Sequence, residues 1–460
     1  MSNVTLNIDQ LFDIPGAVIY DPDKFEVARG VSIDSRTIAK GDVFFALVGE
    51  NFDGHKFVEL AVDKGASAVV INESELVNFD ELDSVIITVP DTTIAYGDLA
   101  RIYRASLKAK VIAITGSNGK TSLKEMLYAL LSVKYKVVKT EANNNNHIGV
   151  PLTIFSCGAE ADYLILEHGT NHFGEIEYTA KISNPDYSVI TNIGDSHLEY
   201  LENREGVLKE KSALFSSTLE NDGKLFVNVE DPLLNERYGK SEFAFTYGMS
   251  DADLVCTIMG HRVDGRPKVK LEYGDRVIFT GIPLWGESNV KNLIPAVAIA
   301  MKCGLSDLEI EKGIASFVPA KGRLDVKQYE NFVVIDDTYN ANPASMAAAF
   351  EVLKDISAYD EKVVFLGDMF ELGSDAVKMH EGLAEPLLRS SVKEVYLIGE
   401  LMKNSDEKLK SSGVKVKHFS DKNELLNFVE NFDKTGKVIL VKGSRGMKME
   451  EIVKKLTGEG

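Results

Sequence analysis

The sequence predicts a three-part α/β protein. A small N-terminal α/β domain is expected over residues 1–107, a central doubly wound α/β domain over 108–318, and a second open α/β sheet over 319–460. Three observations carry this. Short β-branched runs alternate with helical periodicity along most of the chain, the pattern of parallel sheets covered by helices. A chain of 460 residues, 44% of them hydrophobic, exceeds what one core accommodates at roughly 150 residues per domain. A glycine-rich turn also stands between a strand pattern and a helix pattern at residues 110–131.

In the first segment, "GVSIDSRTIAKGDVFFALVGENFDGHKFVELAVDKGASAVVI" is strand-rich and ends in a helix and a strand, punctuated by Gly, Asp and Ser. The strands "KVIAIT", "DYLILE" and "DYSVITNI" recur in the second with helices between them, as a doubly wound core requires. The third carries "NFVVIDD", "KVVFLGD", "VKEVYLIG" and "KVILVKG", each followed by a helix pattern. "VPAKGRLDV", with Pro319 and Gly322, is the candidate hinge.

A formal charge of −19 and a pI near 5.0 argue against a nucleic-acid or membrane-surface binder, because both surfaces would repel the chain. Cys157, Cys256 and Cys303 lie far apart without a CxxC pair, so neither a zinc site nor a disulfide framework is suggested. The N-terminal residues lack a basic and apolar leader pattern, and no apolar run approaches the roughly 18 residues of a membrane span. A cytoplasmic protein is expected.

In "KVIAITGSNGKTSLKEMLYALL", Lys110 to Thr115 reads as a strand, while Leu123, Met126, Leu127, Leu130 and Leu131 mark one helical face. Gly116 and Gly119 let the backbone approach a guest closely, and free N–H groups at the helix start point at an anion. Phosphate is the natural guest. Gly116, Ser117, Asn118, Gly119, Lys120 and Thr121 form the expected phosphate-binding set, with Lys120 on the β- and γ-phosphates and the Thr121 hydroxyl on Mg2+. Ile114 stands where the common GxxxxGK[ST] pattern has its first glycine. The alternative is a glycine turn followed by an exposed lysine.

Two further strands end in polar residues at the sheet edge where ligands sit: "DYLILEHGTNHFGEI" delivers Glu167, and "YSVITNIGDSHLEYL" delivers Asn192 and then His197. A carboxylate, an imidazole and the Thr121 hydroxyl could hold magnesium ions bridging ATP and a second substrate. A solvated strand end and a structural histidine are the bland alternatives.

TGSNGKT, "TEANNNNHIGVP", "EHGTNHFGEI", "TNIGDSHLEYL", "KEKSALF", "NVKN", "KGRLDV" and "IDDTYNANPASM" together resemble the Mur ligase family, ATP-dependent amide ligases of peptidoglycan precursor synthesis. The likeness covers nearly the whole chain. It implies a central P-loop mononucleotide-binding domain, a C-terminal Rossmann-like domain and an N-terminal domain anchoring a UDP-sugar. "NNNNHIGVP", "DDTYNANP", "LGDMFELG" and "VKGSRGM" resemble the branch that adds D-alanyl-D-alanine to UDP-N-acetylmuramoyl-tripeptide. A sibling adding a single amino acid, expected to carry a threonine-proline motif where the asparagines stand, is the runner-up. A P-loop nucleotide switch is the alternative from another class.

The resemblance implies that the tripeptide carboxylate attacks the γ-phosphate to give an acyl phosphate, which the dipeptide amine then displaces. Catalysis is expected to depend on Lys120, Lys211 and His197. Thr121, Glu167, His197 and Lys211 match metal ligands, Lys211 as a carbamylated lysine; Lys209 is the competing assignment. Asn289, Asn292, Arg323 and Asp337 match nucleotide contacts. The family often has His where Ser288 stands. Ser32, Ser35, Arg36, Asn143, Asn145, Asn146, Tyr339 and Asn342 match substrate contacts, with Gly54 and His55 shaping a nearby turn. His168, where the family usually has Met, is not taken as a ligand. Domain closure would bring Asp337, Asn342 and Arg445 towards the reaction centre and hold the dipeptide near "LGDMFELG", where Asp368, Glu371 or His380 touches it or, as the alternative, closes a loop by hydrogen bonds. A monomer is expected.

Overall fold

The computed structural model describes residues 4–459. The seven strands expected from the central and C-terminal runs all form, and they belong to two of three separate large sheets. In the N-terminal sheet the order is Val18–Tyr20, Ile86–Val89, Ala68–Asn72, Asp42–Phe45, Gly30–Ser32, parallel apart from the first pair.

The central sheet has nine strands. From Lys110–Thr115 the chain crosses to the edge strand Val137–Lys139, returns to Tyr163–Glu167 beside its start, then emerges on the opposite flank at Tyr187–Ile190. Strand order therefore reverses at Lys110–Thr115, and such a switch point opens a crevice at the carboxyl ends of the strands. The glycine loop, Glu167 and Asn192 all leave the sheet there. Beyond Lys224–Asn228 and Ala244–Gly248 the sheet ends in an antiparallel meander, Leu254–His261, Pro267–Tyr273 and Arg276–Gly281, which the doubly wound expectation lacks.

The helix Lys120–Leu131 buries Leu123, Met126, Leu127, Leu130 and Leu131 against the helix Glu287–Lys302, as its period requires. The C-terminal sheet runs Asp325–Gln328, Phe332–Asp337, Lys437–Lys442, Glu361–Gly367, Glu394–Ile398, Lys415–Phe419, parallel except at its first strand.

The units are joined unequally. One apolar cluster runs from Phe45, Val70 and Ile87 of the N-terminal sheet, through Leu99 and Tyr103 of the helix Thr92–Ser106, to Val111, Leu164 and Leu166 of the central sheet. Arg104 pins the same helix, donating to the Ser183 carbonyl at 3.0 Å and to Asp186 at 3.1 Å. The clusters of the C-terminal sheet take their buried members from residue 332 onward, and among the described residues Trp285 reaches them from the central unit. A largely polar junction of this kind permits relative motion.

Loops of the C-terminal unit are closed by two residues of the dipeptide trio. Asp368 accepts the Met402 amide at 2.8 Å. His380, fully buried, accepts the Met369 amide on Nε2 at 2.9 Å, so Nδ1 carries the proton and donates to the Ala376 carbonyl at 2.7 Å. Burial lowers its proton affinity below the ordinary 6.5, outweighing the Ala376 carbonyl and the Asp368 carboxylate, which raise it. The unfolded chain therefore takes up this proton at a higher pH than the folded one, so stability present above 6.5 is lost on acidification below it. Urea midpoints should fall between about pH 7 and about pH 5.5, and His380→Gln should flatten that slope while lowering the neutral-pH midpoint.

Candidate active site

The glycine loop is shaped by what it touches. Gly116 has φ +146° and Gly119 φ +84°. A Cβ on Gly116 would lie 1.8 Å from Thr191 Oγ1, and one on Gly119 would lie 2.2 Å from Asn292 Oδ1. The segment after Tyr187–Ile190 holds the loop: the Ser117 amide donates to the Asn192 carbonyl at 3.0 Å and the Asn118 amide to Asn192 Oδ1 at 3.1 Å. Ser117 Oγ accepts the Gly194 amide at 2.9 Å and the Ser196 hydroxyl at 3.0 Å. No side chain caps the helix that begins at Lys120, which leaves its first-turn N–H groups for an anion.

Lys120 folds over this loop, its Nζ donating to the Gly116 carbonyl at 2.6 Å. Burial lowers its proton affinity, Glu167 opposes that shift, and Arg323 adds to it. One residue on, Thr121 Oγ1 donates to Glu167 Oε2 at 3.0 Å. The other oxygen of Glu167 accepts Asn145 Nδ2 at 2.9 Å, and Lys124 Nζ stands 3.6 Å from Oε2. Sequence reasoning passed over Lys124. Its spacing of three and four residues from Thr121 and Lys120 puts it on their helix face, and that was the available signal.

Lys211 is buried in the helix Arg204–Glu220, and its ammonium makes no hydrogen bond or ion pair among the described residues. Burial first, and then Lys120, lower its proton affinity well below the ordinary value. Its neighbour Glu210 is engaged elsewhere, accepting the Gly174 and Ile176 amides at 2.7 and 2.8 Å. Lys209 is exposed, its ammonium 5.4 Å from the Phe173 ring centre. His168 is buried and bonded through Nδ1 to Thr179 at 2.9 Å, and burial pushes its imidazole down to about 3.

The structure thus gathers Lys120, Thr121, Glu167 and Asn145, with Lys211 near enough for Lys120 to lower its proton affinity. His197, at φ +54°, places Nδ1 2.8 Å from Glu371 Oε2 of the C-terminal unit. The ring is not aligned for a hydrogen bond. Asn342 also bridges the units: it caps the helix Pro343–Asp355 and donates Nδ2 to Asn118 Oδ1 at 2.8 Å. Tyr339 lies under two guanidiniums, Arg323 at 4.0 Å and Arg445 at 5.7 Å from its ring centre. Asp337 is engaged by Lys442 at 2.6 Å and by the Leu324 amide at 3.0 Å. Asn289 donates to the Trp285 carbonyl at 2.9 Å, whereas Asn292 lies over Gly119.

Ser32, Ser35 and Arg36 line a cleft of about 1150 Å³ together with Arg29, Lys40, Phe52 and, from the central unit, Leu152. Arg36 is forked onto Asp34 and exposed, and the Ser35 carbonyl accepts Lys64 Nζ at 2.7 Å. A Cβ on Gly54 would meet the Leu47 backbone at 2.7 Å, and His55 links Asp53 to the Asn72 amide. Of the asparagine run, Asn143 is exposed, Asn145 lies on Glu167, and Asn146 accepts the Gly149 amide at 2.9 Å.

An anion-binding loop at a sheet switch point, a large cleft on one side and a polar junction on the other define a multidomain nucleotide-binding α/β enzyme. Consecutive segments match three family descriptions: the Mur ligase family catalytic domain at 27–104, the Mur ligase middle domain at 114–300, and the Mur ligase glutamate ligase domain at 322–445. The UDP-N-acetylmuramoyl-tripeptide:D-alanyl-D-alanine ligase of Bacillus subtilis is 35% identical over 94% of this chain and 93% of its own. A crystal structure of MurF from Acinetobacter baumannii superposes with TM-score 0.88 at 31% identity, covering all of both chains. MurF from Thermotoga maritima in complex with ADP gives TM-score 0.80 at 27% identity, covering 94% of this chain and 98% of that one. The chain belongs to the Mur ligase family.

Gly119→Ala would force a methyl onto the Asn292 amide at a left-handed backbone, a strain of about 1–3 kcal/mol. Calorimetric titration with ADP should show affinity reduced by about tenfold or more, since 1.4 kcal/mol is a factor of ten. Asn292→Ala should restore only the part due to the contact.

Proposed function

We propose that this chain is an ATP-dependent ligase that joins D-alanyl-D-alanine to UDP-N-acetylmuramoyl-tripeptide in peptidoglycan precursor synthesis. The observation that carries this reading is the gathering of Lys120, Lys211 and the Thr121–Glu167 pair around one uncapped helix start, in a chain related over nearly its full length to a ligase of that name. Residues 1–107 would bind the UDP-substrate through the cleft of Ser32, Ser35 and Arg36, residues 108–318 would bind ATP, and residues 319–460 would close over both.

The first step joins two anions. A carboxylate oxygen of the tripeptide bonds to the γ-phosphorus as the bond to ADP breaks, so charge repulsion is a large part of the barrier. Nearby cations and the uncapped amides at the helix start would offset it, the amides being oriented before the substrates arrive. Lys120 needs only to swing from the Gly116 carbonyl to a phosphate oxygen, with Arg323 across the cleft. In the second step the dipeptide amine bonds to the acyl carbon and inorganic phosphate leaves. Water must be kept out meanwhile, because the acyl phosphate hydrolyses. The Asn342–Asn118 contact shows how the C-terminal unit can reach the loop.

The donor set fits magnesium. Thr121 and Glu167 offer hard oxygens 3.0 Å apart, the chemistry Mg2+ prefers. Among the described residues no three His, Cys, Asp or Glu side chains converge, so nucleotide oxygens and a carbamylated Lys211 would complete the set. Lys211 suits that modification: an amine buried without a counter-ion is held towards the neutral form that adds CO2, and the carbamate would give the site an anion. His197 would serve a metal only after leaving Glu371 or by its other ring nitrogen. No helix among the described residues is long and apolar enough to cross a membrane. The enzyme is proposed to act as a cytoplasmic monomer.

Phosphate release should require both UDP-N-acetylmuramoyl-tripeptide and the dipeptide for full rate; equal rates without them would point to a nucleotide switch. Lys120→Ala should abolish turnover without unfolding the protein. Lys211→Ala should lose activity that added acetate partly restores, because a small carboxylate can occupy the vacated space; recovery with chloride alone would remove the carbamate.

A further inference from the structure

Lys124 is a buried ammonium beside the Thr121–Glu167 pair, and the mechanism above does not use it. Its side chain is fully buried, yet no carboxylate is its own: Glu167 stands 3.6 Å away, and Glu125, at 3.5 Å, is held more closely by Lys139 at 2.7 Å. Its hydrogen bond goes to the Ala142 carbonyl at 3.2 Å. A buried charge in a native protein needs such partners, and here they come from two different parts of the site.

Ala142 is itself unusual. It is not glycine, yet it holds φ +49°, a conformation costing about 1–3 kcal/mol that persists only where surroundings enforce it. The turn aims its carbonyl at Lys124 and starts the asparagine run. Three residues on, Asn145 returns to Glu167 with its amide at 2.9 Å and accepts the Gly169 amide on its carbonyl at 2.8 Å. The contacts close a ring: Lys124 to Glu167, Glu167 to Asn145, and back along the chain to Ala142 and Lys124. The exposed Asn143 lies within the arc.

We propose that Lys124 is a positioning residue that locks the loop 142–146 to Glu167, so that the asparagine loop and the carboxylate beside Thr121 are set as one unit. The inference rests on the reading of Glu167 given above. A merely structural lysine would stabilise the helix and leave substrate discrimination alone. The ring instead makes loop order depend on Lys124 and on the state of Glu167.

Lys124→Met removes the charge and keeps the stem. Its kcat should fall by about 100-fold, as expected for a site displaced by an ångström. With the asparagine loop assigned to the tripeptide as part of this proposal, KM for UDP-N-acetylmuramoyl-tripeptide should rise about tenfold while KM for D-alanyl-D-alanine stays within about twofold. Hydrogen exchange of the 142–146 amides should quicken without any ligand, and metal-free ADP affinity should hold. Unchanged loop exchange, or a loss of kcat without the KM split, overturns the proposal. If the variant does not fold, the wild-type enzyme decides: ADP with Mg2+ should slow exchange at 142–146 and ADP with EDTA should not, and equal exchange in both overturns it. Glu167→Gln with wild-type kinetics would remove the role given to Glu167, while the loop exchange of Lys124→Met tests the lock separately.

Discussion

Unbalanced positive charge in a dry place is the constraint on which this molecule turns. Lys120 and Lys211 are both driven towards the neutral form by burial, and Lys211 also feels Lys120. Glu167 is the nearby carboxylate that acts on Lys120, but it already serves Thr121, Asn145 and Lys124. Such an arrangement is poor for stability taken alone, since uncompensated buried ammonium groups are expensive. It becomes favourable when ligands arrive, because phosphate oxygens would give Lys120 a partner after one short swing and carbamylation would turn Lys211 from a cation into an anion.

The rest of the central unit can be understood as support for that arrangement. The reversal of strand order places three strand ends around one crevice, and the two glycines let the loop sit against Thr191 and Asn292 with no room for side chains. Asn192 uses its backbone and its amide to fix two successive loop residues. Thus the loop is shaped from one side by the neighbouring strand and from the other by the helix Glu287–Lys302, leaving the helix start as its open face.

What the sequence disclosed was local in origin. A strand, two glycines and a stripe of five apolar residues are all set within 22 residues, and they give the loop and the buried helix face directly. Glu167 was legible for a similar reason, as the polar terminus of an apolar strand. Lys124 was not, because a lysine is ordinarily given to solvent whatever face it occupies, and the bond that holds it comes from Ala142 on another strand connection. The Asn118–Asn342 bridge joins residues 224 apart, a pairing no local pattern announces. The meander of the central sheet has its alternation in "PKVKLEY", with Val269 and Leu271 inward, but a doubly wound frame offers no place for it. Asp368 and His380 are the reverse case: residue types that invite chemistry, used here to tie loops.

The continuous apolar cluster through the helix Thr92–Ser106 welds the first two sheets into one body, whereas the third meets them through amides, charges and a single indole. Such a molecule has one articulation instead of two. Were the third unit to swing, the protein's own loss of orientational freedom would fall at that joint alone, and the cleft of Ser32, Ser35 and Arg36 would keep a constant lever-arm distance to the glycine loop.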